Sequence, residues 1–197
     1  MIASLLSGVG AASNAGLNCT LALLILALAD RLTTRIDLAS PYSAISSTAG
    51  IVILLLLLPI ELIADKLPGI DAMSDRVHTV IRPLVGAFMA MAIASTHGSG
   101  IIVWVAGLLG LLAAGSVHWY KMQARPVVTS ATNGMGNPFL SIAEDLVVVI
   151  GTVVSVFVPY LAIPLMAVLL WFVQRLTERM KRGDFRIESL LGMKPRV

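Results

Sequence analysis

An all-α fold, a polytopic transmembrane helical bundle of about six spans, is what this chain predicts, and three observations lead there. Of its 197 residues, 57% are hydrophobic and only 13% are charged, with a mean hydropathy of +0.91, outside the balance of a water-soluble domain. Long apolar runs recur from end to end with polar punctuation between them, whereas a soluble protein buries one or two all-apolar helices at most. Positive charge is concentrated at one end: seven of the fourteen Lys and Arg follow residue 174. They form a tail and not a groove, so a net charge of +3 predicts no nucleic-acid partner.

About 20 apolar residues cross the hydrocarbon core, which places segments near 3–29, 44–64, 78–96, 100–120, 139–158 and 161–177. The first is polar in its first half (Ser13, Asn14 and Asn18, with Gly8, Gly10 and Gly16) and apolar afterwards. That is the pattern of a broken or tilted helix. No Lys or Arg precedes Arg31, so the charged start of a signal peptide is missing and the segment is read as part of the mature protein. The third and fourth segments flank a short loop in which His97 is read as a solvated turn residue. Only the region of Pro159 and Pro164 divides the fifth from the sixth, so one kinked helix is an alternative, and five or seven spans compete with six.

Residues 1–177 are thus a membrane domain and 178–197 a basic cytoplasmic tail lying against anionic headgroups. Short cytoplasmic loops carry an excess of Lys and Arg. With six spans, that rule puts Lys66, Arg76, Lys121, Arg125 and the tail inside, Arg31 and Arg35 outside, and both termini in the cytoplasm of a bacterial inner membrane. Cys19, the single cysteine, has no Cys or His neighbour at metal spacing along the chain. It is read as a packed small hydrophobe, with no zinc site and no cofactor expected.

The run from Ser40-Pro41-Tyr42 to Ser47 matches that from Asn137-Pro138-Phe139 to Glu144: polar, Pro, aromatic, then small and apolar residues entering a helix. In the six-span arrangement one opens a span from outside and the other from inside, as an inverted three-plus-three repeat predicts. Ser47 and Thr48 would then be the counterparts of the polar residues in the fifth span.

Ionisable groups within a bilayer cost roughly 2.5–3.5 kcal/mol each on insertion scales, so their retention points to a cavity, an ion pair or a pathway. Helical spacing sets Asn137, Ser141 and Glu144 or Asp145 along one stripe, the acids roughly 10 Å from Pro138 at 1.5 Å per residue. These, with Asn14 and Asn18 stacked in the first span, are the candidate ion or substrate pathway. The alternative is that the fifth span begins after Asp145 and both acids are interfacial. A second cluster, Glu61, Asp65, Lys66, Asp71, Asp75 and Arg82 with His78, flanks the Pro68-Gly69 turn as a hairpin charge network. Arg82 falls inside an apolar run and needs a carboxylate such as Glu61, Asp75, Glu144 or Asp145. Locking helices together is the plainer account of these pairs. A third, His118, Lys121 and Arg125, forms a cationic stripe suited to a phosphate or carboxylate headgroup, or to the acids of the fifth span.

In these residues, GAASNAGLN, the Ser40-Pro41 pair, ADKLPGID, IRP, the His118/Lys121/Arg125 stripe and NPFLSIAED, the chain resembles a family of bacterial membrane proteins of about 200 residues and unknown function. The resemblance spans Gly10 to Asp145 and excludes the tail. It implies no mechanism, but it implies that these polar clusters are the family's recurring elements.

The leading reading is a small transporter or channel for a cation, proton or small solute. Glu144 and Asp145 would hold the ion, Arg82 or Lys66 would be the counter-charge, and a homo-oligomer is expected from so short a chain. The alternative is a non-transporting module that binds lipid or a partner protein through the cationic stripe and tail. An enzyme is the third reading and rests on His118 with Glu144 or Asp145; no protease or phosphatase motif supports it.

Overall fold

Gly16-Leu17-Asn18 divides the first apolar segment into two half-length helices. The computed structural model describes residues 2–66, 70–98, 100–132 and 134–181, and in it α1 covers Ile2–Ala15 and α2 covers Cys19–Leu32. Asn18 leaves the helical region at φ −147°, and its side-chain carbonyl accepts the Leu21 N–H. An asparagine cap of this kind satisfies one of the orphan donors at a helix start. At 1.5 Å per residue each half is about 21 Å long, short of the ~30 Å hydrocarbon core.

A 3-10 segment (Tyr42–Ser46) follows, then α3 (Thr48–Ala64), α4 (Ile70–Ser95), α5 (Ile101–Thr132), α6 (Asn137–Phe157) and α7 (Pro159–Lys181). Among the described residues, Met73–Ser95, Ile101–Thr132 and Asn137–Phe157 are long and apolar enough to cross a membrane, while Thr48–Ala64 and Pro159–Val168 are shorter apolar stretches. The protein is an all-α, multi-pass membrane bundle. α3, α5 and α7 run one way and α4 and α6 the other. For convenience, the face where α3 and α5 end is the lower face, and the face bearing residues 33–47 and 96–98 is the upper one.

The two halves of the broken segment do not continue one another. Leu5 packs with Ala90, Ala94 and Ala106 near the upper face, and a Cβ at Gly8 would lie 3.1 Å from the Ala90 carbonyl. Gly16, at the other end of α1, lies against Ala114, Val117 and His118, much deeper along α5. α2 then climbs back: Cys19 and Thr20 meet Glu61 near the end of α3, and Arg31 reaches Thr48 at its beginning. The expected first span near 3–29 is therefore a hairpin that enters from the upper face and returns to it. The physical reason lies in α1's composition. Its Gly, Ala and Ser let it approach α4 and α6 closely, and Asn18 starts a new helix in a new direction.

Small residues line the interior and large ones the outside. Gly86 and Gly110 face each other where α4 meets α5, so close that a Cβ on Gly86 would lie 2.7 Å from the Gly110 carbonyl. Leu56 and Ile60 on α3, Leu108 and Leu112 on α5, and Leu146 and Ile150 on α6 are exposed, as lipid-facing positions are. α6 and α7 are separate helices that part at Val158, and α7 packs on α1 and α5 as well as on α6. The two Pro-aromatic runs behave differently. Pro41 leads into the 3-10 segment and Ser47 caps α3, whereas Pro138 sits in the first turn of α6. Ser47 and Thr48 are exposed on the upper face, away from Glu144. Of the tail, residues 182–197 lie outside the described residues.

Candidate functional site

The hairpin's turn ends inside a buried network of charges drawn from α3, α4, α5 and α6. A helix leaves unsatisfied N–H groups at its start and carbonyls at its end, with partial charges to match. Both ends are met here by full charges. Glu61 accepts the N–H groups of Cys19 (3.2 Å) and Thr20 (2.9 Å) at the start of α2. Lys121 donates to the Leu17 carbonyl (2.7 Å), and Arg82 Nη1 lies 3.5 Å from that of Gly16, at the end of α1.

Arg82 is fully buried. Its Nη2 donates to Glu61 (3.1 Å) and lies 3.5 Å from Asp65, while Nη1 lies 3.5 Å from Asp75 and donates to His118 Nδ1 at 3.0 Å. Because arginine only donates, His118 Nδ1 is an acceptor and the proton sits on Nε2, which donates to the Asp75 carbonyl (3.1 Å). Lys121 is shared between Asp65 (2.5 Å) and Glu144 (3.3 Å). Arg125 donates to Glu144 (2.9 Å) and to the Asp65 carbonyl (3.3 Å), with Asp65 Oδ2 at 3.4 Å. At the lower edge, Asp145 accepts from Asn18 (3.0 Å) and Lys66 (3.2 Å).

The sequence clusters meet in this network, though not all as expected. Glu61, Asp65, Lys66, Asp75 and Arg82 pair across helices with the α5 stripe and the α6 acids. Asp71's side chain lies outside the described residues. Glu144 is buried, and α6 begins at Asn137, seven residues ahead of it. His118, Lys121 and Arg125, a stripe suited to headgroups or to the acids of the fifth span, are buried. The helix face that carries them turns inward because Asp65 and Glu144 supply the counter-charge that lipid would otherwise have to provide. Asn137 is outside the network and bonds to Thr129 (2.9 Å). Ser141 is buried, and its hydroxyl has no hydrogen-bond partner among the described residues. Asn14 sits higher, donating to the Gly10 carbonyl (2.9 Å) and pressed against Gly151.

Two residues escape a reading along the chain. Cys19 and His78 stand on either side of Glu61, and one ligand atom from each of the three lies within 4.8 Å of the others. This trio is the group among the described residues that could hold a metal ion. The only signal available in the sequence was that Cys19 follows the polar break at Asn18 and that His78 is one helical turn from Arg82.

No curated protein and no solved structure matches the chain. The family described as "Domain of unknown function (DUF4126)" matches over residues 5–179, from α1 into the last turn of α7 and across the whole charge network. The chain belongs to that family.

Proposed function

We propose that the protein is a small transporter or channel for a cation or proton, whose pathway runs through the ion-pair network at the turn of the α1–α2 hairpin. The observation that carries this reading is the pairing of a helix break deep in the bundle with five buried or nearly buried carboxylates and four cationic side chains. Broken helices whose ends face charges at mid-depth are a recurring way to build an ion site in a membrane.

Each carboxylate already has a cationic partner, so a passing cation or proton takes its place by exchange. Lys66–Asp145 is the most accessible pair, with side-chain exposures of 33% and 17%, and serves as the entry. Lys121, placed between Asp65, Glu144 and the Leu17 carbonyl, is the side chain whose movement would pass the vacancy inward. In this reading α3 to α7 cross the bilayer and α1–α2 dips in from the upper face, giving five spans in place of six. The positive-inside bias of the tail then makes the lower face cytoplasmic and sets the N-terminus on the opposite side.

The test is ion flux into proteoliposomes, with protons and monovalent and divalent cations in turn, comparing wild type with the Glu144→Gln, Asp145→Asn double variant. Flux in wild type that the variant loses supports the pathway. Absence of flux for every ion, or equal flux in both proteins, overturns it and leaves a module that binds lipid or a partner protein.

A further inference from the structure

We infer that Cys19, Glu61 and His78 form a binding site for a divalent transition-metal ion of the zinc type. The three come from three elements: Cys19 opens α2, Glu61 lies in the last turn of α3 and His78 is on α4. Cys19 Sγ is 3.5 and 3.6 Å from the two Glu61 oxygens, and His78 Nε2 is 3.8 Å from Glu61 Oε1. Ligand atoms bound at about 2.0–2.3 Å around a tetrahedral ion stand roughly 3.3–3.8 Å apart. The Cys19–Glu61 and Glu61–His78 separations match that spacing, and the Cys19 and His78 ligand atoms lie within 4.8 Å of each other.

The histidine is oriented as a ligand is. Its Nδ1 lies 2.9 Å from the Ser74 carbonyl and 3.0 Å from the Ser74 hydroxyl; with Nδ1–H donating to the carbonyl, the Nε2 lone pair faces the Glu61 carboxylate. A hydrogen bond on the ring nitrogen that faces away from the metal accompanies almost every metal-bound histidine. Two acceptors 3.8 Å apart call for something positive near them, a proton or a metal ion. The mix of thiolate, imidazole and carboxylate selects zinc-type ions over magnesium or calcium, which take oxygen ligands. Three protein ligands leave a fourth position open.

Arg82 opposes the ion, since Nη2 is 3.1 Å from Glu61 Oε1. Its guanidinium is nonetheless shared with Asp65 and Asp75. Among the described residues, Glu61 Oε2, the oxygen nearer the sulfur, has only the Thr20 N–H as hydrogen-bond donor besides that thiol. Total charge also favours binding. Among the described residues, the carboxylates of Glu61, Asp65, Asp75, Glu144 and Asp145 outnumber Lys66, Arg82, Lys121 and Arg125 by one. A thiolate adds a second negative charge, and a divalent ion balances both. In the binding step the metal–sulfur bond forms as the Cys19 S–H bond breaks, and that proton leaves to solvent. No oxidant or reductant is involved, and the site stands whether or not ions cross the membrane.

Cobalt(II) is the probe. Because Cys19 is the chain's one cysteine, a thiolate-to-cobalt charge-transfer band in the near ultraviolet can come from no other residue. The purified full chain in detergent should show this band saturating at one cobalt per chain, with one proton released per ion. Zinc should abolish the band and magnesium should leave it. Cys19→Ser should lose the band, and His78→Gln should weaken cobalt binding at least about tenfold, with the direction set by loss of a ligand. Absence of a saturable band in wild type overturns the proposal without recourse to any variant, as does a band that His78→Gln leaves at full affinity.

Discussion

Replacing Arg82 by methionine keeps most of the side chain's length and removes its charge from the centre of the network. In the wild type this guanidinium lies within 3.5 Å of carboxylate oxygens of Glu61, Asp65 and Asp75. Glu61 keeps its two backbone donors at the start of α2, and Asp65 keeps Lys121 and Arg125. Breaking a buried pair from one side costs about 3–5 kcal/mol, out of a folding stability of roughly 5–15 kcal/mol. Arg82→Met should therefore bring the protein close to its limit. Unfolding in detergent by urea or SDS, followed by tryptophan fluorescence, measures the loss. Glu61→Gln should be destabilising alone, because it leaves Arg82 with less counter-charge. In combination the two should cost less than the sum of the singles by about 1 kcal/mol or more. An Arg82→Met protein within about 0.5 kcal/mol of wild type, or strict additivity with Glu61→Gln, would refute a network held together by this charge.

Lys66 offers the opposite case. It is paired with Asp145 at the lower edge with a third of its side chain exposed, so Lys66→Ala should cost no more than about 1 kcal/mol in the same assay; a loss as large as that of Arg82→Met would show that the pair is sealed from water. Sidedness can be mapped in a Cys19→Ala background with single cysteines and an impermeant thiol reagent. Positions 2 and 34 should label from one side of the membrane and positions 76 and 135 from the other, and labelling of 2 together with 76 would rule out the hairpin.

The bundle was legible in the sequence because long apolar runs are a direct consequence of the solvent. Each lipid-exposed helix must be apolar and hydrogen-bonded within itself, and no partner is needed to reveal that. The break at Gly16 to Asn18 was visible for the same local reason, since glycine and asparagine act on their own turn. Its geometry was not. Whether a broken helix continues or doubles back depends on the pockets that α4, α5, α6 and α7 offer to Gly8, Gly10 and Gly16, and those contacts are distant in sequence. The charge network was half legible. A lone arginine in an apolar run demands a partner, and Arg82 has two of the carboxylates nominated for it, Glu61 and Asp75. The inward turn of His118, Lys121 and Arg125 was not decidable, because a basic stripe at the end of a span suits headgroups and buried acids equally. Cys19 with His78 was the least visible feature. Metal spacing is a property of local sequence only when one loop supplies the ligands, and here three helices do.

The hairpin also imposes an order on synthesis. α1 and α2 leave the ribosome before the helices they pack on, yet α1 comes to rest among α4, α5, α6 and α7, and that niche is incomplete until the last of them has been made. Neither half is long enough to cross the bilayer alone. We expect α1 to settle into the bundle only after those helices are in place. Docking of the hairpin brings Asn18 to Asp145, Cys19 to Glu61 and the Leu17 carbonyl to Lys121. Most of the charges that the later helices assemble are buried beneath this earlier segment, while Lys66 and Asp145 stay partly exposed.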